Sequence, residues 1–440
     1  MSISPAPSAS RRRDELDVLR GLLLVMMVLT HLPTRLNAYA NQTFGFISAA
    51  EGFVFLSAFL IGSIYTRQLI ERGAGYVRSK LWKRAGRIYL MHLGLLLFLF
   101  TFVAGLAVAT DNHALRNHLS LYFASPVRAT LAGPLLLYQP ALLDILPMYI
   151  VFLLATPALL KLAARRGWQL LLGCSALLWA FAQLGGRSFI YGGLSQLLGL
   201  NLPLDAFGAF DWFAWQLVWV AGLWFGARQL RRAQPAAAGA DSCAAALDAS
   251  APRRLRSSVR QALVGRGLLM TVALGTTGLF LLYRYGYMNL PFDAATTFAL
   301  TDKWHLGALR VVNFAALAYV VNAWVLPVFA WLRVTVLSML GRASLEVFTA
   351  HVPFCVLSRA LLVDDATPLP LVTALWVLGA TFGAMFFVAW RTGLVRAPRS
   401  GPSRWPRARP VPRAAFPALV PAPARTTPSR VIRSKLPARR

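Results

Sequence analysis

Asp17, Arg20 and His31 recur at helical intervals in DELDVLRGLLLVMMVLTH, residues 14–31. With Leu24 and Met27 or Val28 between them, they complete an i, i+3, i+4, i+7 stripe on one helix face. At about 1.5 Å of rise per residue, Arg20 and His31 stand roughly 16 Å apart along that stripe. Lipid does not solvate ionisable groups, so the stripe must face protein or a water-filled cavity, which makes it a candidate functional site. Glu51 opens the next apolar run at a similar depth to His31. A carboxylate bonded to one imidazole nitrogen leaves the other free as a base for a hydroxyl attacking an acyl group or thioester. A plainer arrangement competes with it, in which His31 caps the helix at the interface and Glu51 faces water. Arg84 and Arg87, in KLWKRAGRIYLMH (residues 80–92), are three apart and share a face suited to bidentate contacts with phosphate oxygens. A basic helix end that merely sets orientation explains them equally well on spacing alone. His92 reads either as a core histidine or as a cavity liner. Glu346 and His351, five apart in GRASLEVFTAHVPF, do not share a face squarely and define no dyad. Asp302, Lys303, His305 and Arg310 cluster in DKWHLGALR, where Asp302 and Lys303 read as a pair in water.

These residues need a membrane-spanning frame, and composition supplies one. The chain has 440 residues, of which 57% are hydrophobic and 14% charged, and a mean hydropathy of +0.56. Such a balance describes an integral membrane protein. Its net charge of +29 is concentrated beside apolar segments and in the C-terminal tail. That pattern fits orientation and contact with anionic membrane lipid, and no specific nucleic-acid partner is expected. Cys174, Cys243 and Cys355 show neither disulfide nor metal-ligand spacing, so no metal is expected. No small-residue cleavage site follows the first apolar run, so no cleaved signal peptide is expected.

The expected fold class is all-α, a polytopic transmembrane bundle of about ten helices. The spans fall near 16–34, 44–66, 86–109, 139–161, 168–186, 212–230, 266–285, 307–330, 335–358 and 370–392. Loop charges alternate accordingly. Arg35 is the lone charge of the first reversal, whereas the second carries Arg67, Arg72, Arg78, Lys80, Lys83, Arg84 and Arg87. The alternation places both termini in the cytoplasm. Residues 1–13 form a cytoplasmic lead-in, and a cytoplasmic linker lies near 231–265, its stretch 233–251 Ala-rich and without an apolar stripe. Residues 393–440 form a Pro/Arg-rich tail expected to be disordered. Contact with anionic lipid and the absence of any function are both open for that tail.

Six stretches together resemble the OpgC proteins: RRRDELDVLRGLLLVMMVLTHLP, GFISAAEGFVFLSAFLIGSIY, RAGRIYLMH, LLDILPMYIVFLLATP, WQLVWVAGLWFG and GRASLEVFTAHVPF. They are spread over residues 14–392. The OpgC family is associated with succinylation of osmoregulated periplasmic glucans and is similar to the wider membrane acyltransferase-3 group. The resemblance implies a ten-helix inner-membrane O-acyltransferase with no tightly bound cofactor. Acyl-CoA, for this family succinyl-CoA, would be the cytoplasmic co-substrate, and a periplasmic glucan or another envelope carbohydrate the acceptor. By motif, His31 matches the catalytic histidine of the wider group, Arg84 and Arg87 match its R-x-x-R pattern for acyl-CoA handling, and Arg20 is a further candidate there. Glu51 matches the acidic position of SAAE, and His351 the late-helix histidine; Asp17 and His92 remain cavity candidates from the residue reading. Ala58 departs from the pattern, standing where FLSG would supply glycine, so packing of the second helix is expected to differ. Transfer of acetyl or another acyl group to a different envelope glycan is the rival within the class, and a transporter or flippase the rival outside it.

Overall fold

The computed structural model describes residues 9–199, 201–233, 252–332, 334–362 and 368–396. Most of the expected linker (234–251) and the tail beyond residue 396 lie outside the described residues. The described chain is helical apart from loops and one isolated bridge between Phe44 and Ile47. Its helices are α1 (Ala9–His31), α2 (Leu36–Ala40), α3 (Ala49–Phe98), continued through a π-turn into α4 (Ala104–Ala109), then α5 (His113–His118), α6 (Ser120–Ala124) and α7 (Pro126–Ala132). There follow α8 (Ile145–Arg166), α9 (Trp168–Gln183), α10 (Gly186–Leu197), α11 (Trp212–Ala233), α12 (Pro252–Arg284) and α13 (Ala294–Thr301). The last are α14 (Ala308–Val320), α15 (Leu326–Leu332), α16 (Thr335–Arg342), α17 (Ser344–Ser358) and α18 (Leu371–Arg396).

Five helical runs among the described residues are long and apolar enough to cross a membrane: 49–109, 145–166, 265–284, 308–332 and 371–393. The α9–α10 pair, bent by 79°, makes a sixth if it is one broken span. The first run contains two of the expected spans. Gly73, at φ 80° and ψ 171°, interrupts α3 with a backbone conformation that glycine adopts without a Cβ penalty. Phe53 and Ser57 from one side of Gly73 line the same cavity as Arg84 and Ile88 from the other. A straight helix would separate Ser57 from Arg84 by about 40 Å, so the chain folds back at Gly73. The expected span 335–358 is likewise divided, breaking at Ala343 into α16 and α17. α12 begins at Pro252, well inside the expected linker.

Burial sorts the helices. In α8, 61% of the apolar window is buried within the protein, whereas in 308–332 the share is 6% and in 265–284 it is 11%. Apolar helices with so little protein cover need lipid around them, because water would leave that surface solvated at a cost. The centre is built from α1, α3, α8, α11 and α17, which contribute Leu24, Val28, Ile61, Leu153, Trp219 and Val347 to one continuous core.

Two sets of glycines bring backbones together there. A Cβ on Gly226 of α11 would stand 2.1 Å from the Phe59 carbonyl oxygen, and one on Gly62 of α3 2.3 Å from the Leu223 oxygen. Ala58 sits in this contact, with Gly222 opposite; a Cβ on Gly222 would come within 2.7 Å of the Ala58 methyl. The glycine missing from FLSG is thus matched by one on the facing helix, and the close α3–α11 approach survives. α1 meets α16 in the same way, since a Cβ on Gly21 would lie 2.0 Å from the Leu337 oxygen and one on Gly341 1.9 Å from the Asp17 oxygen.

Candidate functional site

The α1–α16 crossing fixes the charged half of the α1 stripe. Arg342, next to Gly341, reaches Asp14 at 2.7 Å and Asp17 at 3.6 Å. Asp17 also lies 3.5 Å from Arg20, one turn further on. Arg20 donates through Nη2 to the Ser344 hydroxyl, which opens α17, while its Nε is buried without an acceptor. Asp17 therefore serves as an anchor for Arg20, and Arg20 remains a guanidinium with unused donor capacity.

Arg20 and Arg84 line one narrow cavity with Phe53, Ser57, Tyr149 and Phe348. The space open to a water-sized body there is about 30 Å³, within about 400 Å³ of volume that includes solvent at its mouth. Arg84 donates to the Tyr149 hydroxyl at 3.2 Å. Two guanidinium groups sharing a cavity have the chemistry to bind phosphate or carboxylate oxygens. Arg87, three residues from Arg84, is exposed and does not line this cavity; the arginine facing Arg84 comes from α1. His92 is fully buried and has no place in the lining.

Phe348 connects this cavity to the histidines. It lines the cavity and meets the His351 ring in a T-shaped contact, centroids 4.9 Å apart. His351 is fully buried, three residues on along α17. Its Nε2 lies 3.4 Å from Nδ1 of His31, with the two rings nearly parallel at an 8° interplanar angle. His31 thus has an imidazole partner from a helix more than three hundred residues away, and its own Nε2 is left for other chemistry.

Glu51 is committed elsewhere. Its Oε2 accepts from the Ser48 backbone N–H at 3.0 Å and from the Ser48 hydroxyl at 2.6 Å, so it caps the start of α3. Its Oε1 accepts from Nε of Arg310, and both side chains are fully buried. One turn along α14, Asn313 accepts the Phe46 N–H at 2.8 Å. Arg310 and Asn313 together pin the N-terminus of α3. The hydrogen-bond partner of His31 is His351 rather than Glu51.

Spacing along the chain did not single out Tyr149, Ser344 or Arg310 for the site. Arg310 carried a usable signal, a charge entering an apolar helix. Tyr149 and Ser344 carried none, because apolar helices bury many such hydroxyls. Among the described residues, no group of three or more His, Cys, Asp or Glu side chains is arranged to hold a metal.

The fold and site define a helical membrane protein with a guanidinium-lined cavity joined through Phe348 to a buried histidine pair. The OpgC protein family model matches residues 12–251 and 242–397, and the chain belongs to that family. Family membership and the apolar helices together support a membrane acyltransferase. No curated protein and no solved structure shows significant similarity to the chain.

Proposed function

We propose that this protein is an inner-membrane O-succinyltransferase acting on periplasmic glucan hydroxyls, with succinyl-CoA as donor. In this reading about ten helices form an acyltransferase-3-like bundle with both termini cytoplasmic. The observation that carries it is the order Arg20 and Arg84, Phe348, His351, His31, a line from a cation cavity to a paired imidazole. The CoA phosphates engage Arg84 and Arg20 near the inner face, with the exposed Arg87 three residues along the helix from Arg84. The thioester then extends past Phe348 toward His31.

At the far end, His31 carries its proton on Nδ1, donated toward Nε2 of His351, which fixes the ring and leaves Nε2 as the base. A glucan hydroxyl gives its proton to His31 Nε2 while its oxygen bonds to the thioester carbonyl carbon. The tetrahedral intermediate collapses, the C–S bond breaks, and the CoA thiolate leaves and takes the proton back from His31. An ester and free CoA result, and His31 returns to its neutral form. Glu51 acts here through Arg310, holding α3 in place.

The test is the purified full-length protein with succinyl-CoA and periplasmic glucan, followed by release of free CoA and the mass of the product. Wild type yields a glucan carrying one added succinyl group per CoA released. His31→Ala, eluting as wild type does in size exclusion, loses roughly 10²–10⁴-fold in rate. Undiminished transfer by that variant removes His31 from the mechanism, and acetylated product in place of succinylated glucan changes the donor.

A further inference from the structure

Lys303 lies in the turn between α13 and α14, and that turn is firmly held. Asp302 accepts the N–H groups of Trp304 at 3.0 Å and His305 at 3.1 Å. The Trp215 indole donates to the carbonyls of Lys303 at 3.3 Å and Trp304 at 3.1 Å, and the Trp179 indole donates to that of Leu306 at 2.9 Å. Leu306 completes the turn at φ +53°. With the main chain so fixed, the Lys303 side chain is partly buried, its ammonium 4.5 Å from the centroid of the Trp304 ring. It lies within electrostatic reach of His31, Glu51, Arg310 and Asp144.

None of the acids near Lys303 neutralises it by direct contact. Asp302 is turned to His305, and Glu51 is occupied by Ser48 and Arg310. Asp144 accepts a weak bond from the Ala209 N–H at 3.4 Å. Among the described residues, no acceptor lies within ion-pair or hydrogen-bond distance of the Lys303 ammonium. Nearby, Nη2 of Arg310 is buried and also lacks an acceptor. Two cationic donors without acceptors therefore stand within electrostatic reach of each other, Lys303 also within reach of His31, and neither lines the Arg20–Arg84 cavity. The buried Arg310 Nη2, left unpaired, costs free energy that an anionic ligand would recover, and the partly buried Lys303 ammonium adds a positive charge within reach of it.

We propose that Lys303, with Nη2 of Arg310 as a second donor, forms a carboxylate subsite that reads the distal carboxylate of a dicarboxylic acyl donor. This rests on the acyl-transfer reading. A thioester arriving acyl end first from the arginine cavity brings its carbonyl to His31 and whatever lies beyond the carbonyl to Lys303. In a succinyl group that is a carboxylate two methylenes on; in an acetyl group it is nothing. A site built to bond a ligand group discriminates strongly against an analogue lacking it, because its own polar atoms then stay unpaired.

The experiment compares succinyl-CoA with acetyl-CoA on wild type, Lys303→Met and Lys303→Arg of the full-length protein in detergent. CoA release gives KM and kcat, and thermophoresis gives direct binding of each thioester without turnover. Lys303→Met is expected to raise KM and Kd for succinyl-CoA by about tenfold, the loss of one charge-assisted hydrogen bond, with values for acetyl-CoA changed less than about twofold. Lys303→Arg restores most of the preference. An equal fall in kcat for both donors makes Lys303 a group acting on the thioester carbonyl and overturns the proposal, as does an unchanged preference. Wild type that binds succinyl-CoA better than acetyl-CoA through Lys303 but releases no CoA would leave the subsite standing and remove the acyl-transfer reading instead.

Discussion

Both oxygens of the buried Glu51 carboxyl are engaged, by the Ser48 amide, the Ser48 hydroxyl and the Arg310 guanidinium. Removing the cation strands the anion. Arg310→Met is accordingly expected to destabilise the protein by about 3–5 kcal/mol. The double variant Arg310→Met with Glu51→Gln should recover part of that loss, since it removes the stranded charge as well. Thermal unfolding in detergent reads both, and a single variant that melts as wild type does would mean the pair carries no structural weight. The 302–305 clasp differs because it lies at the surface and titrates. The bond to Asp302 raises the His305 pKa above its ordinary 6.5, outweighing partial burial. Partial burial opposes ionisation of Asp302, but its bonds from His305 and the two amides prevail and hold its pKa below the ordinary 3.8. The His305 contribution is therefore complete below pH 6.5 and lost as pH rises through its folded value. The Asp302 contribution is complete above pH 3.8 and lost as pH falls through its folded value. The clasp is strongest between 3.8 and 6.5. Hydrogen exchange at the Trp304 and His305 amides, corrected for intrinsic rates, should show protection falling above that window. A His305→Gln variant with the same pH profile would refute the assignment.

At the scale of elements, the site depends on helices that approach more closely than side chains normally allow. Gly226 is the sharpest case, because the atoms a Cβ would meet belong to the backbone of α3 and have no rotamer to retreat into. Gly226→Ala is expected to cost about 1–3 kcal/mol by overpacking. Gly379→Ala supplies the control: nothing lies within 4 Å of a Cβ there, and in a helix the change is neutral or slightly favourable. Melting temperatures that coincide for the two variants would show that the α3–α11 approach is looser than described. The same reasoning explains why the Arg20 stripe stays in register with Ser344. Gly21 and Gly341 lock α1 to α16, and the break at Ala343 starts α17 where Arg20 can reach its first residue.

Across the whole molecule, the ionisable groups fall in sequence, with two guanidinium groups in one cavity, imidazoles beyond Phe348, and an ammonium on a clasped turn within electrostatic reach of His31. Much of this was legible in the chain. Composition already required lipid, with 57% of the chain hydrophobic and 14% charged, and the fold bears this out in helices such as 308–332, apolar over surface that the protein itself leaves uncovered. Helical periodicity put Asp17, Arg20 and His31 on one stripe, and covalent connection fixes such local spacing whatever the rest of the chain does. The partners were not legible. His31 meets His351, Arg20 meets Ser344 and Glu51 meets Arg310 across hundreds of residues. Spacing placed Arg84 with Arg87 and Glu51 near His31 because it sees only neighbours along one helix or across one short loop. Gly73, the α3–α11 glycines and the α1–α16 crossing decide which distant faces touch. A one-dimensional pattern therefore determined which residues carry charge into the membrane, and only tertiary packing decided which of those charges neutralise each other and which, as at Lys303 and Arg310 Nη2, keep a donor without an acceptor.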